Sequence, residues 1–262
     1  MNIRFDNKVI LVTGGTGGIG LSYAELVGTL GAKVAVCGTN PKKLEAALES
    51  LRSKGITAFG ETCDVSDAAP LESFAAHAEA ELGPIDVWVS NAGVYPQYSI
   101  IDTTEEVWDR TVDTNLKSVY LGARIGYRFM KARGGVMLLA SSFASLFPSV
   151  GSGVYAATKS AISSMVKTLA AELAPYGIRV NGYIPGLINT DMNHALIEER
   201  GEQLRSPIAL QTFGEAIDVA WAMAFLSSDY ARYITGTSIE ISGGKMGVQN
   251  PMKAWQDKET RA

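Results

Sequence analysis

The chain has 262 residues, 47% of them apolar, and a formal net charge of −4. That length suits one large α/β unit or two small ones, and the apolar share can build a substantial core. The mild acidity without any basic run argues against nucleic-acid binding, and no stretch of about 18 apolar residues offers a membrane span.

The opening MNIRFDNKVILVTGG leads straight into a strand-like segment, with no basic region followed by a longer apolar one. No secretory signal is expected, and the chain reads as cytoplasmic. Cys37 and Cys63 lie in apolar, strand-like surroundings, so buried free thiols are expected rather than a disulfide. With only His77 and His194 for imidazole and no CxxC, no zinc site is expected.

Strand-like and helical patterns alternate nearly to the end. KVILVTG is a short apolar run closed by glycine, and GIGLSYAELVGTLG carries apolar residues at helical spacing as far as Gly31. KVAVCG is the next strand. PKKLEAALESLRSKG reads as a helix with Pro41 in its first turn and Gly55 past its end. TAFGETCDV, IDVWVSNAG, GVMLLASS, IRVNGYIPG and TSIEISGG complete seven strand-like runs. Helices are expected over DAAPLESFAAHAEAELG, over about 105–133, over about 154–176 and over EAIDVAWAMAFLSS. The pattern implies a mostly parallel sheet with helices on both faces. No linker, repeat or low-complexity tract interrupts it, so one domain is expected over 1–262, with a core over 8–244. Residues 92–104 and 187–207 read as mobile loops, and the polar tail 245–262 as ordered only by a partner subunit.

In such a sheet ligands sit beyond the carboxyl ends of the strands. TGGTGGIG, residues 13–20, follows the first strand and opens the first helix. Glycines let backbone amides approach a pyrophosphate, and a helix N-terminus adds partial positive charge. Gly15, Gly17 and Gly20 satisfy G-x-G-x-x-G, while Gly14, Gly18 and Gly20 satisfy T-G-x-x-x-G-x-G; both registers are open. In GVYAATKSA, Tyr155 and Lys159 are four apart and so share one helix face. Such a pair is a general acid/base, its phenol made more acidic by the ammonium, or merely a solvated helix face.

The order of motifs over 8–244 resembles the short-chain dehydrogenases/reductases of about 250 residues. That resemblance implies a Rossmann-like, doubly wound α/β fold and hydride transfer between a nicotinamide and a ketone or secondary alcohol. By resemblance the cofactor loop supplies Gly14, Thr16, Gly18, Ile19 and Gly20. CDV supplies Asp64, on the adenine, and Val65. SNAG supplies Asn91, Ala92 and Gly93, and PGLINT supplies Pro185, Gly186, Ile188 and Thr190, in a loop closing over the nicotinamide. The catalytic set it implies is Asn115, Ser142, Tyr155 and Lys159, with Lys159 also on the nicotinamide ribose and Asn115 holding a water. Ser142 lies thirteen residues before Tyr155, which favours it over its neighbour Ser141.

An acid at the end of the second strand would bind the ribose 2′-hydroxyl of NAD. Here Gly38 stands where NAD-specific relatives carry Asp, and Thr39, Asn40 and Lys42 or Lys43 could meet a 2′-phosphate. NADP is therefore expected, with NAD as the alternative; Gly17 and Thr39 depart from the NADP pattern, which often has a basic residue there. The expected pocket residues Val94, Tyr95, Gln97, Tyr98, Phe143, Phe147, Leu187, Met192 and His194 are apolar or aromatic with few fixed charges. They point to an apolar or ring-bearing ketone. A 3-oxoacyl-carrier-protein reductase, a sugar or polyol dehydrogenase, and a non-catalytic NADP-sensing protein are the alternatives. The resemblance also implies a homotetramer through the helices at 105–133 and 154–176, the second bearing Ala156, Ala157, Ala161, Ala170 and Ala171.

Overall fold

Strands buried on both faces need helices on both sides, and these strands are nearly continuous runs of Val, Ile, Leu and Ala. The structure, a computed structural model, describes residues 2–245 and 247–261. All seven expected strands are present. β1 (Val9–Thr13), β2 (Lys33–Gly38), β3 (Ala58–Thr62), β4 (Ile85–Ser90), β5 (Gly135–Ala140) and β6 (Ile178–Pro185) belong to the main sheet. The two-residue strands β7 (Ile188–Asn189) and β8 (Gly214–Glu215) pair with each other, and β9 (Ser238–Ile241) completes the main sheet. Its order is β3-β2-β1-β4-β5-β6-β9, parallel throughout.

The helices in chain order are α1 (Gly18–Thr29), α2 (Pro41–Ser53), α3 (Ala68–Leu82), α4 (Glu105–Val112), α5 (Ser118–Met130), α6 (Gly153–Leu173), α7 (His194–Arg205), α8 (Ala216–Ser227) and α9 (Met252–Arg261). Alternation along each strand divides the core. Ile10 and Val12 of β1 pack with Tyr23, Leu44 and Met223 from α1, α2 and α8. Val9 and Leu11 pack with Phe74, Ile125 and Ile162 from α3, α5 and α6. Because β1 lies between β2 and β4, the winding reverses beside it, and a crevice opens at the carboxyl ends of those strands.

Local chemistry sets the helix ends. Asn40 caps α2, its side chain accepting from the amides of Lys42 and Lys43, with Pro41 at the first position and Gly55 at φ +74° beyond the end. Asp67 caps α3, and Thr104 caps α4 ahead of Glu105 and Glu106.

Three expectations need correction. The helical stretch at 105–133 is two helices joined by a π-helical turn, Asp113–Lys117. Asn115 stands in that turn, bonded to the backbone of Val94, and a side-chain demand of this kind is a known cause of such turns. The segment expected as a loop over 187–207 contains β7 and α7. The charged run HALIEERGEQLR with Gly201 inside shows little apolar periodicity, and a two-residue strand shows none. The tail does not wait for a partner. It forms α9, and Trp255 Nε1 donates to the Ala209 carbonyl at 3.0 Å. Met1, Met246 and Ala262 lie outside the described residues.

Candidate active site

The loop from β1 into α1 is shaped by glycine. Gly14 (φ +64°) and Gly18 (φ +51°) adopt left-handed conformations, and a Cβ on Gly14 would lie 2.7 Å from the Ala92 Cα. A Cβ on Gly20 would overlap the Gly14 carbonyl oxygen. Gly20 is common to both registers; Gly14 and Gly18 are left-handed, a Cβ on Gly15 would lie 2.7 Å from Val36 Cγ1, and a Cβ on Gly17 would meet open space. The first turn of α1 has no side-chain cap and no acid, so its amides face the crevice unclaimed. A polar frame holds the loop. Asn91 Nδ2 donates to the Gly14 carbonyl at 3.0 Å, the Tyr183 hydroxyl donates to Asn91 Oδ1 at 3.0 Å, and the Asn91 amide donates to Thr13 Oγ1 at 3.1 Å. The cradle fits a dinucleotide pyrophosphate in shape and in donors.

At the end of β2, a Cβ on Gly38 would lie 2.7 Å from Thr16 Oγ1. The Asn40 oxygen is committed to capping α2. Lys43 Nζ forms an ion pair with Asp191 Oδ2 at 3.1 Å, linking the start of α2 to the segment after β7. Asp64 accepts from the Ser66 amide at 2.9 Å and its hydroxyl at 2.6 Å, and these bonds hold its carboxyl below the usual value. Thr39, Asn40, Asp64, buried Val65 and Gly20 do not line the main cavity. Gly14, Thr16, Gly18, Ile19, Asn91, Ala92, Gly93, Pro185, Gly186, Ile188 and Thr190 all do.

That cavity, about 850 Å³, also holds Ser142, Tyr155 and Lys159. Tyr155 sits in the first turn of α6 and Lys159 one turn on. Lys159 is 4% exposed, donates to the Ala140 carbonyl at 2.8 Å, and has Nζ 5.6 Å from the Tyr155 ring centroid. The Tyr95 ring meets the Tyr155 ring edge-on at 4.8 Å. Ser142, two residues past the end of β5, has its hydroxyl against the Tyr155 phenol, and its Oγ accepts from the Ala144 amide at 3.2 Å. Ser141 is turned away, bonded to the Lys159 carbonyl at 3.0 Å and to Ser163 Oγ at 2.7 Å.

Asn115 is fully buried behind the cavity wall. Its Oδ1 accepts from the Val94 amide at 2.8 Å and its Nδ2 donates to the Val94 carbonyl at 2.9 Å. A Cβ on Gly93 would come 3.2 Å from Asn115 Oδ1 and 3.7 Å from Lys159 Nζ, so Gly93 lies between the amide and the ammonium.

The electrostatics differ from the sequence expectation. In the protein alone, burial pushes the Tyr155 phenol up, and only the Ser142 hydroxyl works against it. Burial also lowers Lys159 to about 8. The ammonium is bonded to the Ala140 carbonyl rather than to the phenol.

On the substrate side, Val94, Tyr95, Gln97, Phe143, Leu187 and Met192 line the cavity as expected. Tyr98, Phe147 and His194 do not; Tyr98 and Phe147 are exposed, and His194 Nε2 faces Glu198 Oε1 at 3.3 Å, both side chains exposed. Sequence reasoning missed Arg200 and Lys245 in the wall. Lys245 had a signal, since it lies just past the carboxyl end of the last strand, four residues after Ile241, and so near the ligand edge of the sheet.

Residues 14–245 match the family model described as enoyl-(acyl carrier protein) reductase. Human dehydrogenase/reductase SDR family member 4 is 39% identical over 91% of this chain and 87% of its own. The chain belongs to the short-chain dehydrogenase/reductase family. The 3-oxoacyl-[acyl-carrier-protein] reductase FabG of Staphylococcus epidermidis is 36% identical over 91% of this chain and 98% of its own. A short-chain type dehydrogenase/reductase from Mycobacterium marinum superposes with a TM-score of 0.89 at 29% identity, covering 93% of this chain and 97% of that one. Short-chain dehydrogenases/reductases are oxidoreductases that bind nicotinamide dinucleotides.

Proposed function

We propose that the chain is an NADPH-dependent reductase that interconverts a ketone with a secondary alcohol, acting as one unit whose core spans 8–244. The observation that carries this reading is the meeting of Ser142, Tyr155 and Lys159 in one cavity with the glycine cradle. The bound nicotinamide supplies the hydride, or accepts it in the reverse direction. Tyr155 gives the forming alkoxide its proton and retrieves it in alcohol oxidation. Its raised pKa keeps that proton in place at neutral pH, which favours reduction. Ser142 donates to the carbonyl oxygen and aims it. Lys159, charged below about 8, holds the nicotinamide ribose. Asn115 fixes Val94 beside the reacting groups and keeps the π turn in place. Asp64 and Val65 sit at the adenine end, and Pro185, Gly186, Ile188 and Thr190 cover the nicotinamide.

The NADP preference is supported by Gly38. A side chain there would strike Thr16, so the position that carries Asp in NAD-specific relatives stays empty of charge. Lys43 can exchange Asp191 for a 2′-phosphate, and Thr39 and Asn40 lie beside it. The 3-oxoacyl-carrier-protein reductase reading is favoured by the staphylococcal relatives of that name. No helix of the described residues is long and apolar enough to cross a membrane. The chain is further proposed to act in the cytoplasm as a homotetramer that binds no nucleic acid.

The deciding experiment follows nicotinamide absorbance with NADPH and NADH against a panel of ketones, sugars and an acetoacetyl thioester. Tyr155→Phe is expected to lower turnover by about 100-fold or more while NADPH still binds. Cofactor binding without oxidation of any substrate would instead favour a sensor protein, and a fully active Tyr155→Phe would refute the proton donor. A preference for NADH of about tenfold in kcat/KM would overturn the NADP assignment.

A further inference from the structure

The substrate end of the cavity carries positive charge that the proposed chemistry does not use. Lys245 is half-buried in the wall, with Nζ 4.4 Å from the centroid of Phe143, the residue directly after Ser142. Among the described residues no carboxylate lies within ion-pair distance of it. Burial pushes its pKa down, as for an ammonium without a counter-charge. The other cation at this end is Arg200, where α7 departs from helical geometry (φ −132°, ψ 24°). The acid in the lining, Asp191, pairs with Lys43 at 3.1 Å and is exposed to solvent.

The position is built rather than incidental. The Lys245 amide donates to Ser242 Oγ at 3.2 Å. Gly243 (φ +63°) and Gly244 (φ +78°) make the turn before it, and a Cβ on Gly244 would lie 2.9 Å from the Ala209 Cβ. Ala209 is in turn held by Trp255 of α9. A desolvated ammonium is stabilised most by an anion that enters the same pocket.

We propose that the ketone is an oxo acid whose carboxylate binds Lys245, with Arg200 at the rim and the carbonyl delivered to Ser142 and Tyr155. The apolar walls, Val94, Tyr95 and Leu187, take the hydrocarbon between the two groups. This inference rests on the ketone-reductase reading and adds the substrate's charge. An anion at this site could also be the phosphate of a carrier thioester, so the test separates the two.

Wild-type enzyme, Lys245→Met and Lys245→Arg are assayed with NADPH on 3-oxo, 4-oxo and 5-oxo alkanoates, their methyl esters and the coenzyme A thioester of the 3-oxo acid. At the best chain length the wild-type kcat/KM is expected to favour acid over ester by about tenfold or more. Lys245→Met removes that ratio and Lys245→Arg keeps it. A wild-type ratio near one, an equal loss on acid and ester, or a Lys245-dependent preference for the thioester alone would overturn the proposal. A binding arm needs no turnover: the protein–NADPH complex is titrated with pentanoate and with pentanamide, followed by nicotinamide fluorescence. Pentanoate is expected to bind about tenfold tighter than the amide in wild type and equally in Lys245→Met; equal binding in wild type sinks the inference. Tyr155-dependent turnover of the esters would in that case leave the reductase reading standing.

Discussion

Lys159 is protonated while buried, and that costs the fold stability. An unfolded lysine titrates at 10.5, whereas this one is lowered to about 8. Between those values the unfolded chain holds a proton that the folded chain has released, so the Lys159 contribution rises with pH across that window. Below about 8 both states are charged and the penalty is complete, on the order of 3 kcal/mol for a shift of this size. Lys159→Met is therefore expected to abolish turnover while its melting temperature, relative to wild type, stands highest near pH 7 and declines toward pH 10. Parallel melting curves across that range would show that the ammonium carries no such penalty. The Tyr155/Lys159 spacing was legible because periodicity along a helix is a local property. The direction of the two shifts was not, because it follows from the Ala140 carbonyl and the packing around the pair, which only the fold assembles. The contact between Phe143 and Lys245 was not legible for the same reason: the two meet beyond the ends of β5 and β9 and are far apart in sequence.

Elements that carry a strong period or a turn signal were readable, including every strand of the main sheet and the Pro41 start of α2; the Asn40 cap was not. Those governed by distant partners were not. The π turn exists where Asn115 reaches Val94, and α7 shows little apolar periodicity of its own and buries none of its residues fully. Asn115→Ala removes both partners of the Val94 backbone; a loss on the order of 1–3 kcal/mol is expected, measured by denaturant unfolding. An unchanged midpoint would mean that solvent replaces the side chain. The end of β2 makes a second prediction at this scale. Gly38→Asp alone places its Cβ against Thr16 and is expected to weaken both cofactors. Adding Thr16→Ala relieves the overlap and leaves a carboxylate facing the ribose, so NADH is then expected over NADPH by about tenfold in kcat/KM. Retained NADPH preference in the double variant would show that cofactor choice is made elsewhere, with Lys43 the first position to examine.

At the scale of the molecule, the outward surface resolves the alanine pattern of α6. Ala156 and Ala170 pack inside the chain, whereas Ala157 and Ala171 are exposed, and Ala161 is half-buried. With Ser160, Ser164 and Thr168 they make an outward face of small side chains, which lets a second helix approach closely. Exposed Ile100, Trp108, Tyr120, Leu146 and Phe147 come from the segments around it. A separate set, Ile217, Trp221, Tyr230 and Tyr233, is exposed on α8 and the turn after it. One two-fold contact would cover only one of these surfaces; two different two-fold contacts make a tetramer with dihedral symmetry. Light scattering of the wild type is accordingly expected to give the mass of four chains. Ala161→Arg wedges a long charged side chain into the α6 face and is expected to leave dimers joined through α8. Trp221→Glu is expected to leave dimers joined through α6, and the double variant monomers. If either single variant stayed tetrameric, the surface it alters would not be an interface. A wild type with the mass of one chain would remove the basis for both contacts, because neither apolar surface would then have a partner copy to cover it.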